Sequence, residues 1–428
     1  MQIKRISIKN FRCFEDLELE FDKRLTVLVG KNGAGKSAIL DAVTVAIGTL
    51  LSELKKKPYS IRKEDARSVC YYNIGSGVDV QAQYPVSIET RGELAGETVC
   101  WTRMLRGAKG HTITVDADDF KRIAASYAAR IAQGDAGLIL PIVSYYGTGR
   151  LWAQMREKQK AKLEKTSRLN GYEDSLDAAA NNKLMLQWFR KMTLRDWQNG
   201  KPSLEFMAVK EAIARFFRSL TEASDVDVRF NPDSLEIELL YTLASGERVI
   251  SPLEQLSDGY KSAISLIADI AYRMSSLNPQ LLDRVLDDTP GVVLIDEVDL
   301  HLHPAWQHRI LHDLMSIFPK VQFIVSTHAP AVIHSTQVGN MIVLKDGKVQ
   351  RICAQPYGKD MNTVMTEVMG VAARPEPVKR QFADYYKKMD EGDYAAAEKI
   401  LDTLASCLGE YDTEVTACRV NLQLEQMP

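Results

Sequence analysis

Hydrophobic and polar residues alternate from the first residues of the chain. IKRISIKNF (3–11) and LELEF (17–21) both repeat with period two, which predicts half-buried strands. LTVLVG (25–30) is instead a continuous apolar run ending in glycine, the pattern of a strand covered on both faces. The loop KNGAGKS follows, and AILDAVTVAIGTLLSEL then carries apolar residues at the spacing of an amphipathic helix. Residues 70–115 return to short β-type runs separated by glycines (VDVQAQYPVSIET, ETVCWTRML, HTITV), predicting an antiparallel sheet beside the main one. A helix is predicted over 117–133.

A second buried run, LILPIVSYY (138–146), ends in GTGR. Residues 151–220 are dominated by charged, helix-forming sequence broken near Asn170-Gly171 and Asn199-Gly200. A β-pair (VDVRF, LEIELLYTL), a helix from near Ser257, the strand VVLID (292–296), a helix from about Pro304 and the strand FIVST (323–327) follow. MIVLKDGKVQRI predicts a last strand pair turning at Asp346-Gly347. Beyond Ala373 the period predicts two or three helices. The apolar positions in DYAAAEKILDTLASCL fit a partner contact and a core of their own equally well. The expected divisions are 1–150 (glycine loop and added β-subdomain), 151–225 (helical subdomain), 226–355 (the remaining core strands) and 356–428 (C-terminal helical docking region).

With 45% hydrophobic residues in 428, the chain can bury a large core, so disorder is excluded as its main character. A net charge of −2 excludes a polycation that coats nucleic acid by its overall field. Charge is local instead. Residues 150–218 carry net +7, concentrated in REKQKAKLEKTSR and read first as a solvated helix face, whereas the chain beyond Ala373 carries −4. No apolar run approaches the roughly 20 residues of a membrane span, and the opening lacks the apolar stretch of a signal peptide. A cytoplasmic protein with no membrane partner is expected. The six cysteines form no CxxC pair and are expected to be reduced, mostly packing residues.

The chemistry starts at Gly30-Lys31-Asn32-Gly33-Ala34-Gly35-Lys36-Ser37, which fits GxxxxGK[ST] between a predicted strand and a predicted helix. Backbone N–H groups of such a loop converge on a β-phosphate, a lysine (Lys36) neutralises β/γ charge, and a hydroxyl (Ser37) ligates Mg²⁺. ATP and Mg²⁺ are the expected cofactors. The metal also needs an acid on a neighbouring strand, and VVLIDE supplies Asp296 for it, with Glu297 as general base for the attacking water. His301, His303, His308 and His312 crowd one segment but lack suitably spaced further ligands, so no metal centre is assigned to them. DADD (116–119) is read as a capping turn before Phe120, and no nuclease site is visible.

In order along the chain, IKNFRCF, GKNGAGKS, LSDGYKS, VVLIDEVDLHLHP and FIVSTHAP resemble the ABC-type ATPases of the branch that holds RecF, Rad50 and SMC proteins. The resemblance spans about residues 1–350. It implies an α/β fold: an ABC-type P-loop ATPase with mixed sheet core, added antiparallel β-sheet, helical subdomain and C-terminal helical tail. It implies that Ser257 and Gly259, at a helix N-terminus, offer N–H groups to the γ-phosphate held by the opposite subunit, so that ATP is sandwiched in a head-to-tail homodimer. By the same resemblance Lys261 is the basic residue of the signature, Asp299 the D-loop acid and His328 the switch histidine. Arg12 and Phe14 are placed on the nucleotide's base side, with a surface or core role left open. Two departures matter. The signature has Asp258 and Tyr260 where transporters have glycine and glutamine, and no glutamine closes the strand at 138–146. Tyr145 to Arg150 stands there, with Gln154 nearest, so slow turnover is expected.

Only 219 residues separate Ser37 from Ser257, which leaves no room for the long arms of Rad50 and SMC proteins. Among compact relatives, LPIVSYYGTGRLW, GYEDSLDAAANNKLMLQWF, DEVDLHLHPAWQ and YGKDMNTVMTEVMGVAARP resemble the PtuA family, the ATPase subunits of Septu antiphage systems, including those tied to retrons. That resemblance implies a homodimer at least, a higher oligomer, and an HNH-family nuclease partner controlled by nucleotide state. It also brings in DNA, or a retron reverse transcriptase with its nucleic acid, as further partners. The alternatives are a RecF-like DNA-repair ATPase on duplex DNA and a transporter's ATPase, the latter disfavoured by the variant signature and the RecF-like opening.

Overall fold

The computed structural model describes residues 1–72, 78–149, 167–177, 182–336, 340–350 and 356–426. The chain divides into two compact units, Met1–Lys359 and Asp360–Pro428. The first opens with β1 (Gln2–Phe11), β2 (Phe14–Glu20), β3 (Leu25–Gly30) and α1 (Lys36–Glu53). A strand pair, β4 (Ser68–Tyr72) and β5 (Val78–Ala82), is followed by β6 (Val86–Leu94), β7 (Glu97–Leu105), β8 (Ile113–Val115), α2 (Asp118–Ala132) and β9 (Ile142–Tyr146). Helices α3 (Asn182–Asn199) and α4 (Leu204–Leu220) precede β10 (Ser224–Asn231), β11 (Glu236–Thr242) and β12 (Arg248–Pro252). Then come α5 (Asp258–Leu277), α6 (Val285–Asp288), β13 (Gly291–Ile295), α7 (Pro304–Gln307), α8 (Ile310–Ile317), β14 (Val321–Thr327), α9 (Pro330–His334), β15 (Asn340–Lys345) and β16 (Lys348–Gln350).

Among the described residues six strands form the central sheet in the order β16-β15-β3-β14-β13-β9, with only the β15–β16 pair antiparallel. Parallel strands of this kind are covered on both faces, and β3, β13, β14 and β9 are accordingly buried at every position. A second, antiparallel sheet has the order β2-β1-β6-β7-β8. Its β1 and β6 alternate, turning Ile3, Ile6, Ile8 and Ile88 inward and leaving polar residues outside.

Helix α1 lies against strands of both sheets. The spacing predicts an amphipathic helix, but the structure buries α1 on nearly every side because the second sheet covers the face that water would otherwise take. Trp101 of β7 fastens the layers, donating its indole N–H to the Ala46 carbonyl oxygen at 3.0 Å. This mixed sheet, with the helix of the glycine loop under an added antiparallel sheet, is the α/β fold expected of an ABC-type P-loop ATPase.

In the region expected to be a helical subdomain, α4 packs on α5 and on β10 of a third sheet, β10-β11-β12. Most of REKQKAKLEKTSR lies outside the described residues. The second unit comprises α10 (Met361–Thr363), α11 (Glu376–Asp390), α12 (Tyr394–Leu408) and α13 (Thr413–Glu425). Ala397, Leu401, Leu404 and Ala405 of α12 meet Phe382, Tyr385, Val415, Cys418 and Leu422, so the apolar stripe read in the tail is spent largely on its own core.

Two local readings are corrected. DADD does not cap α2 with a side chain: the N-cap is Ala117, and Asp118 and Asp119 sit in the first turn, where their charge favours the helix dipole. Among the described residues Cys13, Cys70, Cys100 and Cys407 are free and exposed rather than part of the core, although Cys13 Sγ lies against Gly35; Cys418 is buried. Cys70 and Cys100 lie on strands, Cys407 on a helix and Cys13 in the turn between β1 and β2, at water-facing positions to which periodicity assigns no residue type.

Candidate functional site

The carboxyl ends of β3, β13, β14 and β9 point the same way, and parallel α/β sheets bind ligands at that edge. The loop after β3 enters α1 through Gly35, at φ 101°. A Cβ there would lie 2.5 Å from Phe14 Cζ and 2.9 Å from Cys13 Sγ, so glycine is required by both backbone and space. Phe14 is itself buried under the loop, which gives it a core role. Asn32 and Gly33 are exposed, while Ala34 is buried and donates its N–H to the Lys31 carbonyl oxygen at 3.1 Å. Ser37 is exposed in the first turn of α1.

Lys36 folds back over the loop, its Nζ donating to the carbonyl oxygens of Gly30 (2.6 Å) and Lys31 (3.1 Å). Burial pushes the pKa of this ammonium down, and the carboxylates of Asp296, Glu297 and Asp299 act in the other direction. The loop cation and the three acids therefore share one electrostatic neighbourhood.

Asp296 follows the last residue of β13 and is buried. Its N–H donates to the Tyr146 carbonyl oxygen at 2.8 Å, and its Oδ1 accepts from the Ser326 hydroxyl. Glu297 is half-buried with φ 47° and donates its own N–H to Ser326 Oγ at 2.8 Å. Asp299 is buried and accepts from the Thr327 hydroxyl at 2.6 Å. His328 is 47% exposed at its side chain, with Nδ1 3.8 Å from Asp299 Oδ2. The sequence alone attached no role to Ser326 or Thr327. The available signal was two adjacent hydroxyl residues closing an otherwise largely apolar strand immediately before His328.

At the other candidate helix terminus, Ser257 is the exposed N-cap of α5, with no side-chain cap bond. A Cβ on Gly259 would lie 2.6 Å from the His301 carbonyl oxygen, so the signature turn sits directly on the segment that follows Asp299 in the same chain. Tyr260 packs its ring on Trp306 with centroids 4.2 Å apart. Lys261 Nζ lies 3.8 Å from Asp258 Oδ1.

Arg12 enters an ion-pair cluster. Its Nε donates to Asp65 Oδ1 at 2.8 Å and its Nη1 to Asp41 Oδ2. Burial opposes the guanidinium charge, yet Asp41 and Asp65 together raise its pKa. Asp41, on α1, is pushed up by burial and held back by Arg12 and by a hydrogen bond from Tyr145. Tyr145 stands near the position where the glutamine was missed; burial, and then Asp41 and Asp296, keep its phenol protonated. Its neighbour Tyr146 faces the opposite side of β9 and donates to Asp269 Oδ2 at 2.7 Å, an oxygen shared with Arg273 Nε. Gln154 lies outside the described residues.

A family model described as an AAA domain matches residues 5–214, and a second AAA-domain model, carrying the AbiEii and type IV toxin–antitoxin label, matches residues 155–334. The Retron Ec83 probable ATPase of Escherichia coli is 26% identical, over 99% of this chain and 87% of its own length. The Retron Vc95 probable ATPase of Vibrio cholerae serotype O1 biovar El Tor is 24% identical over 85% and 78%. The Septu protein PtuA of Bacillus mycoides is 26% identical over 81% of this chain, which spans 41% of that protein. The chain is similar to the PtuA-like ATPases of retron and Septu systems. The glycine loop follows β3 at the sheet's carboxyl edge, and Asp296 and Glu297 follow β13 at the same edge, with β14 between the two strands. Among the described residues no helix is long and apolar enough to cross a membrane.

Proposed function

We propose that this chain binds Mg²⁺-ATP between two copies arranged head to tail, hydrolyses it slowly, and uses the resulting closure to control an HNH-family nuclease in an antiphage defence complex. The observation that carries the ATP reading is the glycine loop that enters α1 through the left-handed Gly35, with Lys36 folded over it, at the sheet edge where Asp296 and Glu297 also follow β13. The retron and Septu names of the relatives support the defence setting.

The Ser37 hydroxyl and the Asp296 carboxylate are hard oxygen donors, the ligand chemistry that Mg²⁺ selects, and they would hold it. Bound there, the ion would neutralise charge on the β- and γ-phosphates. The loop N–H groups and Lys36 grip the phosphates. Glu297, half-buried and one residue beyond Asp296, accepts a proton from the attacking water. His328, exposed beside Asp299, reaches the γ-phosphate, and Ser257, Gly259 and Lys261 of the second copy close over it. An open pair lacks half of those donors, so ATP binds the closed pair more tightly and drives closure by that difference in affinity. Slow turnover follows from a tyrosine committed to Asp41 where a water-orienting glutamine would stand.

Three proteins test this reading: wild type, Lys36→Ala and Glu297→Gln. Lys36→Ala is expected to lose ATP affinity, and Glu297→Gln to bind ATP while hydrolysing it about 100-fold more slowly or worse. With an HNH nuclease encoded beside it, Glu297→Gln is expected to fix DNA cleavage in one state whatever the ATP level. If Lys36→Ala binds nucleotide normally and Glu297→Gln hydrolyses it at the wild-type rate, the site is misassigned. If cleavage ignores all three proteins, the nuclease control is wrong.

A further inference from the structure

The inference rests on the ATPase reading above and concerns how the two adjacent acids are aimed. Asp296 and Glu297 lie just past the end of β13, after the last register pair with β14, Ile295–Val325. No ladder bond of that pairing orients their side chains. Ser326, one step further along β14 and fully buried, meets both. Its hydroxyl donates to Asp296 Oδ1 and accepts from the Glu297 N–H at 2.8 Å, so one oxygen uses its proton and a lone pair on consecutive residues. Its carbonyl oxygen accepts the Val298 N–H at 3.0 Å. Ser326 thus meets three consecutive residues, 296–298, while the Asp296 N–H is held by the Tyr146 carbonyl oxygen on the other side.

The backbone at Glu297 makes that grip consequential. A glutamate at φ 47° occupies the left-handed region, which is strained for a residue with a Cβ and persists only where surrounding bonds enforce it. Two of the bonds that hold it are the N–H of Glu297 on Ser326 Oγ and the turn from the Leu300 N–H to the Glu297 carbonyl oxygen at 2.9 Å. Asp296 remains tied to β14 through its side chain. The next residue repeats the device, with the Thr327 hydroxyl on Asp299, and His328 follows directly.

We propose that Ser326 is the positioning residue for both acids: its hydroxyl orients Asp296 toward the metal and holds the strained turn that aims Glu297 at the attacking water. Ser326 is fully buried and acts through those two residues. It also ties the metal-side acid, the base and His328 to the end of one strand, so that a shift of β14 moves all three together.

The test uses the full chain as wild type, Ser326→Ala and Ser326→Thr. Four quantities are measured: kcat and KM for Mg²⁺-ATP, affinity for ATP in excess chelator, Mn²⁺ affinity of the ATP-loaded protein by electron paramagnetic resonance, and thermal midpoint. For Ser326→Ala, kcat and Mn²⁺ affinity are each expected to fall about tenfold or more, as removal of such orienting partners does. Metal-free ATP affinity stays within about twofold, because the glycine loop and Lys36 are untouched. Ser326→Thr restores a hydroxyl in a β-branched residue that a strand accepts, and recovers both losses. The proposal is overturned by a Ser326→Ala kcat within twofold of wild type, by an equal loss of metal-free ATP affinity, or by a Ser326→Thr protein that melts like wild type yet recovers nothing. A wild-type chain that binds no ATP overturns the ATP reading and this proposal with it.

Discussion

Gly35 shows how one residue carries backbone, packing and chemistry together. It begins α1 at φ 101° with Phe14 and Cys13 against the place where a Cβ would stand. Any side chain must shift the loop or the buried phenylalanine beneath it. Gly35→Ala is expected to abolish measurable ATP binding by calorimetry and to cost about 1–3 kcal/mol in denaturant unfolding, from backbone strain and overpacking combined. Arg12 makes the complementary point. Position in a family suggests a nucleotide contact, whereas the structure commits its guanidinium to Asp41 and Asp65, two buried carboxylates that need a counter-charge.

At the scale of elements, the C-terminal helices depend on one carboxylate at a junction. Asp412 accepts the N–H groups of Glu414 and Val415 at the start of α13 and both ends of a fork from Arg374 Nη2, at 2.8 and 3.0 Å. The bond from Arg374 is the main reason its pKa is lowered. A carboxylate with a depressed folded pKa adds stability above the ordinary aspartate value of about 3.9 and loses it as pH falls through the lower folded value. Amides of α13 are therefore expected to exchange faster as pH falls below about 4, after correction for intrinsic rates. Asp412→Ala is expected to lose about 1 kcal/mol of protection at pH 7, the usual worth of a cap, and to flatten that acid dependence. An α13 whose protection ignores both pH and the substitution removes Asp412 from this role.

For the whole molecule, the proposed composite site makes a prediction that a self-contained site does not. Lys36→Ala damages the phosphate cradle, and Ser257→Arg damages the surface offered to the other copy. Alone, each is expected to hydrolyse no ATP above background. Mixed in equal amounts, the two pair at random and leave about a quarter of the sites with an intact cradle facing an intact signature, so activity returns. Light scattering of the mixture with ATP checks the accompanying dimer. A mixture as inactive as its parts rules out sharing of the site between copies.

Much of this protein is legible in its linear pattern. Alternation in β1, the continuous apolar runs of β3, β13 and β14, and the glycine loop before α1 each follow from local rules of burial and turn chemistry, which need no knowledge of the remaining chain. Lys36, Asp296 and Glu297 are readable for the same reason: strand, loop and helix place them at the sheet's carboxyl edge by topology alone. What joins them is not local. The hold of Ser326 on Asp296 and Glu297 spans about thirty residues and exists only because β13 and β14 run parallel in one register. The burial of α1 on nearly every side, the capture of Arg12 by Asp41 and Asp65, and the seat of Gly259 on the His301 carbonyl oxygen were likewise decided by tertiary packing. Periodicity reports which face of an element avoids water; only the assembled layers determine which polar atoms must then find one another inside.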